Sequence, residues 1–206
     1  MHIQRYSSAI IMNLRRNFLA RQTATKMSAK DGLATKTKAL CDVFINHRGI
    51  DTKRTIATLL YDHLSRRNLQ PFLDNKNMKP ADKLFDNIDN AIRNCKVGVA
   101  VFSPNYCESY FCLHELALFS ESKKKVIPIF CDVKPSQLRI VDNGNVPAKD
   151  FRRFESALEE AKDTVGITFD SSKGNLSDVV ENASEIVMES LVEMKKQRAR
   201  MIKNFK

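Results

Sequence analysis

No stretch of this chain approaches the ~20 consecutive apolar residues that a membrane helix needs. The longest uninterrupted apolar run, Val97–Phe102, is the length of a strand and contains a glycine. No membrane span is therefore expected. The five cysteines, Cys41, Cys95, Cys107, Cys112 and Cys131, are odd in number and have no Cys-x-x-Cys spacing. That excludes a disulfide framework or a zinc site and points to reduced thiols in an intracellular protein. The usual enzyme signatures are missing too: there is no GxGxxG after a strand, no GxxxxGK[ST], no GxSxG and no HExxH. His114-Glu115 is half of a zinc motif, but position 118 is Leu. No metal and no bound cofactor are expected. Internal repeats and low-complexity segments are absent.

The 206 residues give room for one ordinary domain plus tails, enough to bury a core without disulfides. An apolar fraction of 43% with 28% charged residues is that of a soluble globular protein. The net charge of +10 is concentrated at the ends. Residues 1–38 contribute +7 and residues 195–206 contribute +6, which leaves the body, 39–194, at −3. Attraction to nucleic acid or to an anionic surface would come from the ends. The first thirty residues contain no Asp or Glu and spread Arg and Lys among Ser, Thr and apolar residues. That composition fits either a disordered basic extension or an organelle-targeting segment. The domains are accordingly read as a basic extension (1–38), a folded body (39–194) and a basic tail (195–206).

Within the body, strand-like and helix-like patterns alternate about five times. Strands are expected at Cys41–Asn46, Gln70–Asp74, Val97–Phe102, Val126–Phe130 and Val165–Asp170, the fourth weakened by Pro128. Helices are expected after Asp51 or Thr52, with Ile56, Leu59, Leu60 and Leu64 inward, and from Asp82 to Cys95. Others follow Ser109, run over Lys149–Lys162, and begin near Ser177. The lysines at 123–125 would suit the C-terminal end of the helix that contains Glu115. This order predicts an α/β fold, with a five-stranded parallel sheet of order near 2-1-3-4-5 and helices on both faces.

In such a sheet, ligands collect at the carboxyl ends of the strands. His47, Arg48 and Gly49 follow strand one, Lys79 lies in the loop after strand two, and Ser109, Phe111 and Glu115 follow strand three. Arg48 and Lys79 suit phosphates, an aromatic suits a base, and a lone carboxylate suits a sugar. Each also has a plain structural role: Arg48 paired with Asp51, Phe111 in the core, Ser109 as a helix cap. A glutamate in a short helix is ordinarily a solvated surface residue. Paired acids after strand one are missing, which argues against a phosphorelay receiver.

Three motifs carry a resemblance. Cys41-Asp-Val-Phe-Ile-Asn-His-Arg-Gly-Ile-Asp-Thr52 resembles the first signature of plant Toll/interleukin receptor (TIR) domains. Phe102-Ser-Pro-Asn-Tyr106 with Ser109-Tyr-Phe-Cys-Leu-His-Glu-Leu116 resembles their third-strand and following-helix signature, and Val126–Ser136 resembles the fourth. The similarity runs over about 40–190, and no nucleotide-binding or leucine-rich repeat segment follows, as in TIR-only proteins.

The resemblance implies a flavodoxin-like fold and NAD+ nucleosidase activity. NAD+ would be the substrate, cleaved to nicotinamide and ADP-ribose or a cyclic ADP-ribose-type signal, in plant immune signalling and cell death. It also implies activity on self-association and pairing with other TIR proteins. The family's catalytic glutamate falls on Glu115. Its binding positions fall on His47, Arg48, Gly49, Lys79, Ser109 and Phe111. Three departures stand out: Ala81 replaces the glycine of the mobile second loop, Phe111 replaces a tryptophan, and Thr58-Leu59 replaces a Ser-His pair used in self-association. A non-catalytic TIR interaction module is the alternative reading. A synthetase of 2′,3′-cyclic nucleotides acting on RNA or DNA is the third, with weak nucleic-acid binding through the basic ends. The expected location is the cytoplasm, with the nucleus and an organelle left open.

Overall fold

The computed structural model describes residues 41–77, 84–140 and 146–204. The basic extension, Lys79, Ala81 and the proposed helix cap Asp82 lie outside them. The elements in order are β1 (Val43–His47), α1 (Gly49–Thr52), a wide turn (Lys53–Ala57) and α2 (Thr58–Arg66). Then come β2 (Pro71–Phe72), α3 (Asp74–Asn77), α4 (Leu84–Asn94), β3 (Val97–Phe102) and a 3-10 turn (Tyr106–Glu108). They are followed by α5 (Tyr110–Glu121), β4 (Lys125–Cys131), a second 3-10 turn (Pro135–Gln137), α6 (Ala148–Lys162), β5 (Ile167–Phe169) and α7 (Leu176–Asn204). The five strands form one parallel sheet of order β2-β1-β3-β4-β5, as the alternation predicts.

Alternate residues of a strand face opposite sides, and both sides of this sheet are apolar. Val43, Ile45, Val97, Val99, Val101, Ile127 and Ile129 pack under α2 and α7. Ala100, Phe102 and Phe130 pack under α5 and α6, and Phe44 and Phe72 under α4 and α5. The glycine inside β3 has a steric reason: a Cβ at Gly98 would stand 2.8 Å from the Phe119 ring of α5. Pro128 is tolerated inside the sheet because β5 joins β4 only from Ile129 onward. Beside it, a Cβ on Gly166 would stand 2.6 Å from Pro128 O.

Several local expectations are corrected. The first helix is N-capped by Arg48 without a side-chain bond, not by Asp51 or Thr52, and its path is kinked at Thr55. Ile56, Leu60 and Leu64 face inward as expected, but Leu59 lies beside that row and is 44% exposed. Lys124 serves a different helix from the one expected: its Nζ donates to Arg93 O (2.7 Å) and Cys95 O (2.8 Å) at the C-terminal end of α4. Residues 195–204 continue α7 as helix, exposed as far as Lys203, and the last two residues of the tail lie outside the described residues. Lys125 Nζ lies 3.6 Å from Glu193 at the start of β4, so this extension leaves the body past the amino-terminal edge of the sheet. Among the described residues, no helix is long and apolar enough to cross a membrane.

Candidate active site

The opposite, carboxyl-terminal edge brings β1, β3 and α5 together. The break after β3 is held by Asp51, whose carboxylate accepts from Ser103 Oγ (2.6 Å), Asn105 N (3.1 Å) and Asn105 Nδ2 (2.9 Å). That corrects its expected pairing with Arg48. We expect Asp51→Ala to lower stability by about 1–2 kcal/mol, since it strands three donors at a half-buried position. Chemical denaturation measures the loss, and faster amide exchange at Asn105 should accompany it. An unchanged midpoint would show that the tether contributes nothing.

Ser109 begins α5 as its N-cap, with extended backbone and its Oγ accepting from Cys112 N (3.3 Å). The helix is apolar on nearly every side, from Tyr110 to Phe119, because it lies between the sheet, α4 and α6. Glu115 sits in this buried run and keeps 9% exposure, not the solvated position usual for a helical glutamate. Its Oε2 accepts a hydrogen bond from Asn46 Nδ2 at 2.8 Å. Asn46 is the penultimate residue of β1, paired with Ala100 of β3 and fully buried on the α5 side. Its Nδ2 also donates to Cys112 O (3.1 Å), and its Oδ1 accepts from the hydroxyl of the fully buried Tyr106.

The environment pushes the Glu115 carboxyl up to about 8. Burial is the main cause, the Asp74 and Asp89 carboxylates push the same way, and the Asn46 bond partly offsets them. Desolvation disfavours the charged form, whereas a donor to the carboxylate favours it. Burial likewise pushes the Cys112 thiol and the Tyr106 phenol up, with the Glu115 charge adding to both. A carboxyl group poised to change charge near neutral pH at the carboxyl ends of adjacent strands makes Glu115 a functional-site candidate.

His47 closes β1 next to Asn46. Its Nδ1 meets Thr52 Oγ at 3.1 Å, and its Nε2 lies 3.8 Å from Asp74 Oδ1. Thr52 Oγ donates to Arg48 O (3.1 Å), which leaves its oxygen to accept from the His47 Nδ1–H. Cys112 Sγ donates to His47 O (3.3 Å) and so ties α5 to the end of β1. Arg48 is half-buried, with a buried Nε that has no hydrogen-bond partner among the described residues. Its charge favours the Cys112 thiolate. Gly49 opens α1 on the exposed side, where a Cβ would meet no atom within 4 Å.

Phe111 is half-buried and stacks on Phe85 of α4, ring centroids 5.2 Å apart at 24°. Tyr110 meets it edge-on at 6.2 Å. Phe111 and Glu115 are four residues apart on α5 and therefore share a face. Behind them, His114 is buried, with Nε2 2.9 Å from Asp89 Oδ1 and Nδ1 3.3 Å from Arg153 Nη1, and it joins α4, α5 and α6.

Glu115, His47, Arg48, Ser109 and Phe111 are thus brought to one edge, while Lys79 lies outside the described residues. Sequence reasoning missed Asn46, Tyr106, Asp74 and Phe85 as parts of the site. The signal for Asn46 was a polar residue inside an apolar strand run, which must find a partner once buried. Nothing in the spacing marked Phe85 or Asp74. Among the described residues, no group of three His, Cys, Asp or Glu side chains could hold a metal ion, and all five thiols are free.

Residues 41–204 match the family model described as TIR domain. A curated relative, "Probable 2′ cyclic ADP-D-ribose synthase BdTIR" of Brachypodium distachyon, is 51% identical over 157 residues, covering 74% of this chain and 70% of that protein. "TMV resistance protein N" of Nicotiana glutinosa is 37% identical over 102 residues, which are 48% of this chain but only 9% of that much longer protein. Among solved structures, the TIR domains of the activated Roq1 resistosome superpose with a TM-score of 0.62 at 26% identity, covering 71% of this chain and 99% of theirs.

Proposed function

Because the chain belongs to the TIR domain family, we propose that it cleaves NAD+ at the bond between nicotinamide and ribose, with Glu115 as the catalytic carboxylate. The observation that carries this reading is the state of Glu115: a nearly buried carboxyl, held through one oxygen, at the carboxyl ends of β1 and β3. The name of the Brachypodium relative supports the same substrate class. When the C1′–N bond breaks, its electron pair goes to the nicotinamide nitrogen, and the leaving group departs neutral. Positive charge is left on the ribose C1′ and ring oxygen. An ionised Glu115 facing that carbon stabilises the cation. Attack by water gives ADP-ribose, and attack by a hydroxyl of the same molecule gives a cyclic product; in both cases the attacking oxygen loses a proton.

The other residues have consistent roles in this scheme. Arg48 and Lys79 supply positive charge for the pyrophosphate, Phe111 supplies a stacking face, and His47, Gly49 and Ser109 line the approach. We place this activity in plant immune signalling and cell death, as the disease-resistance relatives suggest, and under the control of self-association with other TIR domains. Leu59, exposed on α2, is available for such a contact where the Ser-His pair of relatives is missing.

The test is nicotinamide release from NAD+ by purified protein, concentrated or assembled on a crowding surface, beside Glu115→Ala. We expect release by the wild type alone. Equal and null release under conditions where the protein assembles would sink the enzymatic reading and favour an interaction module.

A further inference from the structure

We infer that Asn46 is a positioning residue for this reaction: anchored by the Tyr106 hydroxyl, its amide holds Glu115 Oε2 so that Oε1 faces the substrate. The inference rests on the reading above that Glu115 is the catalytic carboxylate, and it explains how one glutamate in an apolar helix acquires a fixed direction.

The amide has no freedom in its surroundings. Its oxygen accepts from the Tyr106 hydroxyl, and its nitrogen donates at once to Cys112 O (3.1 Å) and Glu115 Oε2 (2.8 Å). An amide nitrogen has two protons, and both are used. The Tyr106 hydroxyl lies 3.2 Å from the same Cys112 carbonyl, so tyrosine, asparagine and the first turn of α5 form one closed set. Flipping the amide would set its oxygen against the Glu115 carboxylate and the Cys112 carbonyl, both acceptors. The Cys112 carbonyl thus fixes which end of Asn46 meets the carboxylate, and the Tyr106 hydroxyl anchors the amide oxygen in that orientation. Among the described residues Glu115 accepts no other hydrogen bond, and Oε1 is not among the buried atoms without a partner. One oxygen is fixed, and the other is accessible.

The charges around Glu115 make this single donor matter. Asp74 from α3 and Asp89 from α4 both oppose its ionisation. Cys112 of α5 and Tyr106 of the 3-10 turn are held neutral beside it. Arg48, following β1, acts on Cys112, and His47 faces Thr52 and Asp74. Among these groups, Asn46 provides the donor that favours the Glu115 carboxylate, and a donor lost from a charged partner is felt in both orientation and ionisation.

The experiment measures kcat and KM for NAD+ from pH 6 to 10, with the Glu115 carboxyl titrated by carbon-13 NMR, in the wild type, Asn46→Ala, Asn46→Asp, Tyr106→Phe and Glu115→Ala. In the wild type, kcat should rise with pH around a midpoint near 8. Asn46→Ala should lower kcat roughly ten- to a hundredfold, as for loss of a charge-assisted hydrogen bond, with KM nearly unchanged and both midpoints moved upward. Asn46→Asp keeps the shape but loses the donor and adds like charge, so it should move the midpoint upward as well; a residue needed only for its volume would leave it in place. Tyr106→Phe should shift the profile in the same direction by less, and it serves as the test if the Asn46 variants fail to fold. An unchanged kcat and an unchanged Glu115 midpoint in Asn46→Ala or Tyr106→Phe, with Glu115→Ala inactive, would overturn the positioning role and leave the reaction standing. Glu115→Ala as active as the wild type would instead remove the reading on which it rests.

Discussion

Glu115→Gln is expected to lose NAD+ cleavage by about a thousandfold or more while making the protein harder to unfold. The loss follows from removing the negative charge that faces the developing ribose cation. Deleting one preorganised electrostatic contact of this kind costs roughly 10²–10³ in rate, and here the group removed carries a full charge. The gain in stability follows from proton linkage. The Glu115 carboxyl changes charge at about 8 in the fold against 4.5 when unperturbed. Between those values the native state keeps a proton that the unfolded chain has released, so stability falls as pH rises through that window and then levels off. Below pH 4.5 both states are protonated and the penalty vanishes. At pH 7 it amounts to roughly 2–4 kcal/mol. Glutamine has no proton to lose and can still accept from Asn46. Its melting midpoint should therefore match that of the wild type near pH 4.5 and exceed it by about 8–16 °C at pH 8, where the penalty reaches about 4 kcal/mol, given ~2–4 °C per kcal/mol for a chain of this size. Thermal melts from pH 4.5 to 9 measure the divergence. A pH-independent difference between the two proteins would show that Glu115 is not held protonated by its surroundings.

The same residue shows what could and could not be read from the chain. The alternation of apolar runs pointed to the sheet order, because the inner strands β1, β3 and β4 are largely apolar on both faces and each connection is long enough for a helix. The motif around Ser109–Leu116 pointed to Glu115, and Ser109 caps α5 as its hydroxyl allowed. The depth of Glu115 was not legible. Helical spacing distinguishes inner from outer faces only where one face is polar, and α5 is apolar from Tyr110 to Phe119 on nearly every side. The roles of Asp51 and Asn46 were hidden for a related reason. A cap and a long-range tether use the same side chains, and the choice between them is made by elements more than 50 residues away. Leu59 fitted the apolar spacing, but the buried row of this helix is Ile56, Leu60 and Leu64 at intervals of four, and Leu59 lies about 100° off it.

Phe111→Ala should lower kcat/KM roughly ten- to a hundredfold, chiefly through KM. Base–aromatic stacking is worth ~1–3 kcal/mol per base, and Phe111 presents a half-buried aromatic face one helical turn from Glu115, whereas Phe119, one turn the other way, is fully buried. The Phe111 ring is kept from collapsing into the crevice by Phe85 beneath it and Tyr110 against its edge. That support separates two contributions. Truncation also deprives Phe85 of its stacked partner, a loss of ~0.5–1.5 kcal/mol in stability that a melt will register. Phe111→Leu restores most of the packing but no π-face, so it should recover the melting midpoint while leaving KM high. Phe111→Trp keeps the face and should bind NAD+ at least as well as the wild type, because a larger ring system stacks over more area and adds an indole N–H donor. If Phe111→Leu matches the wild type in KM, the ring only fills space between α4 and α5, and the stacking face must be sought elsewhere on this edge.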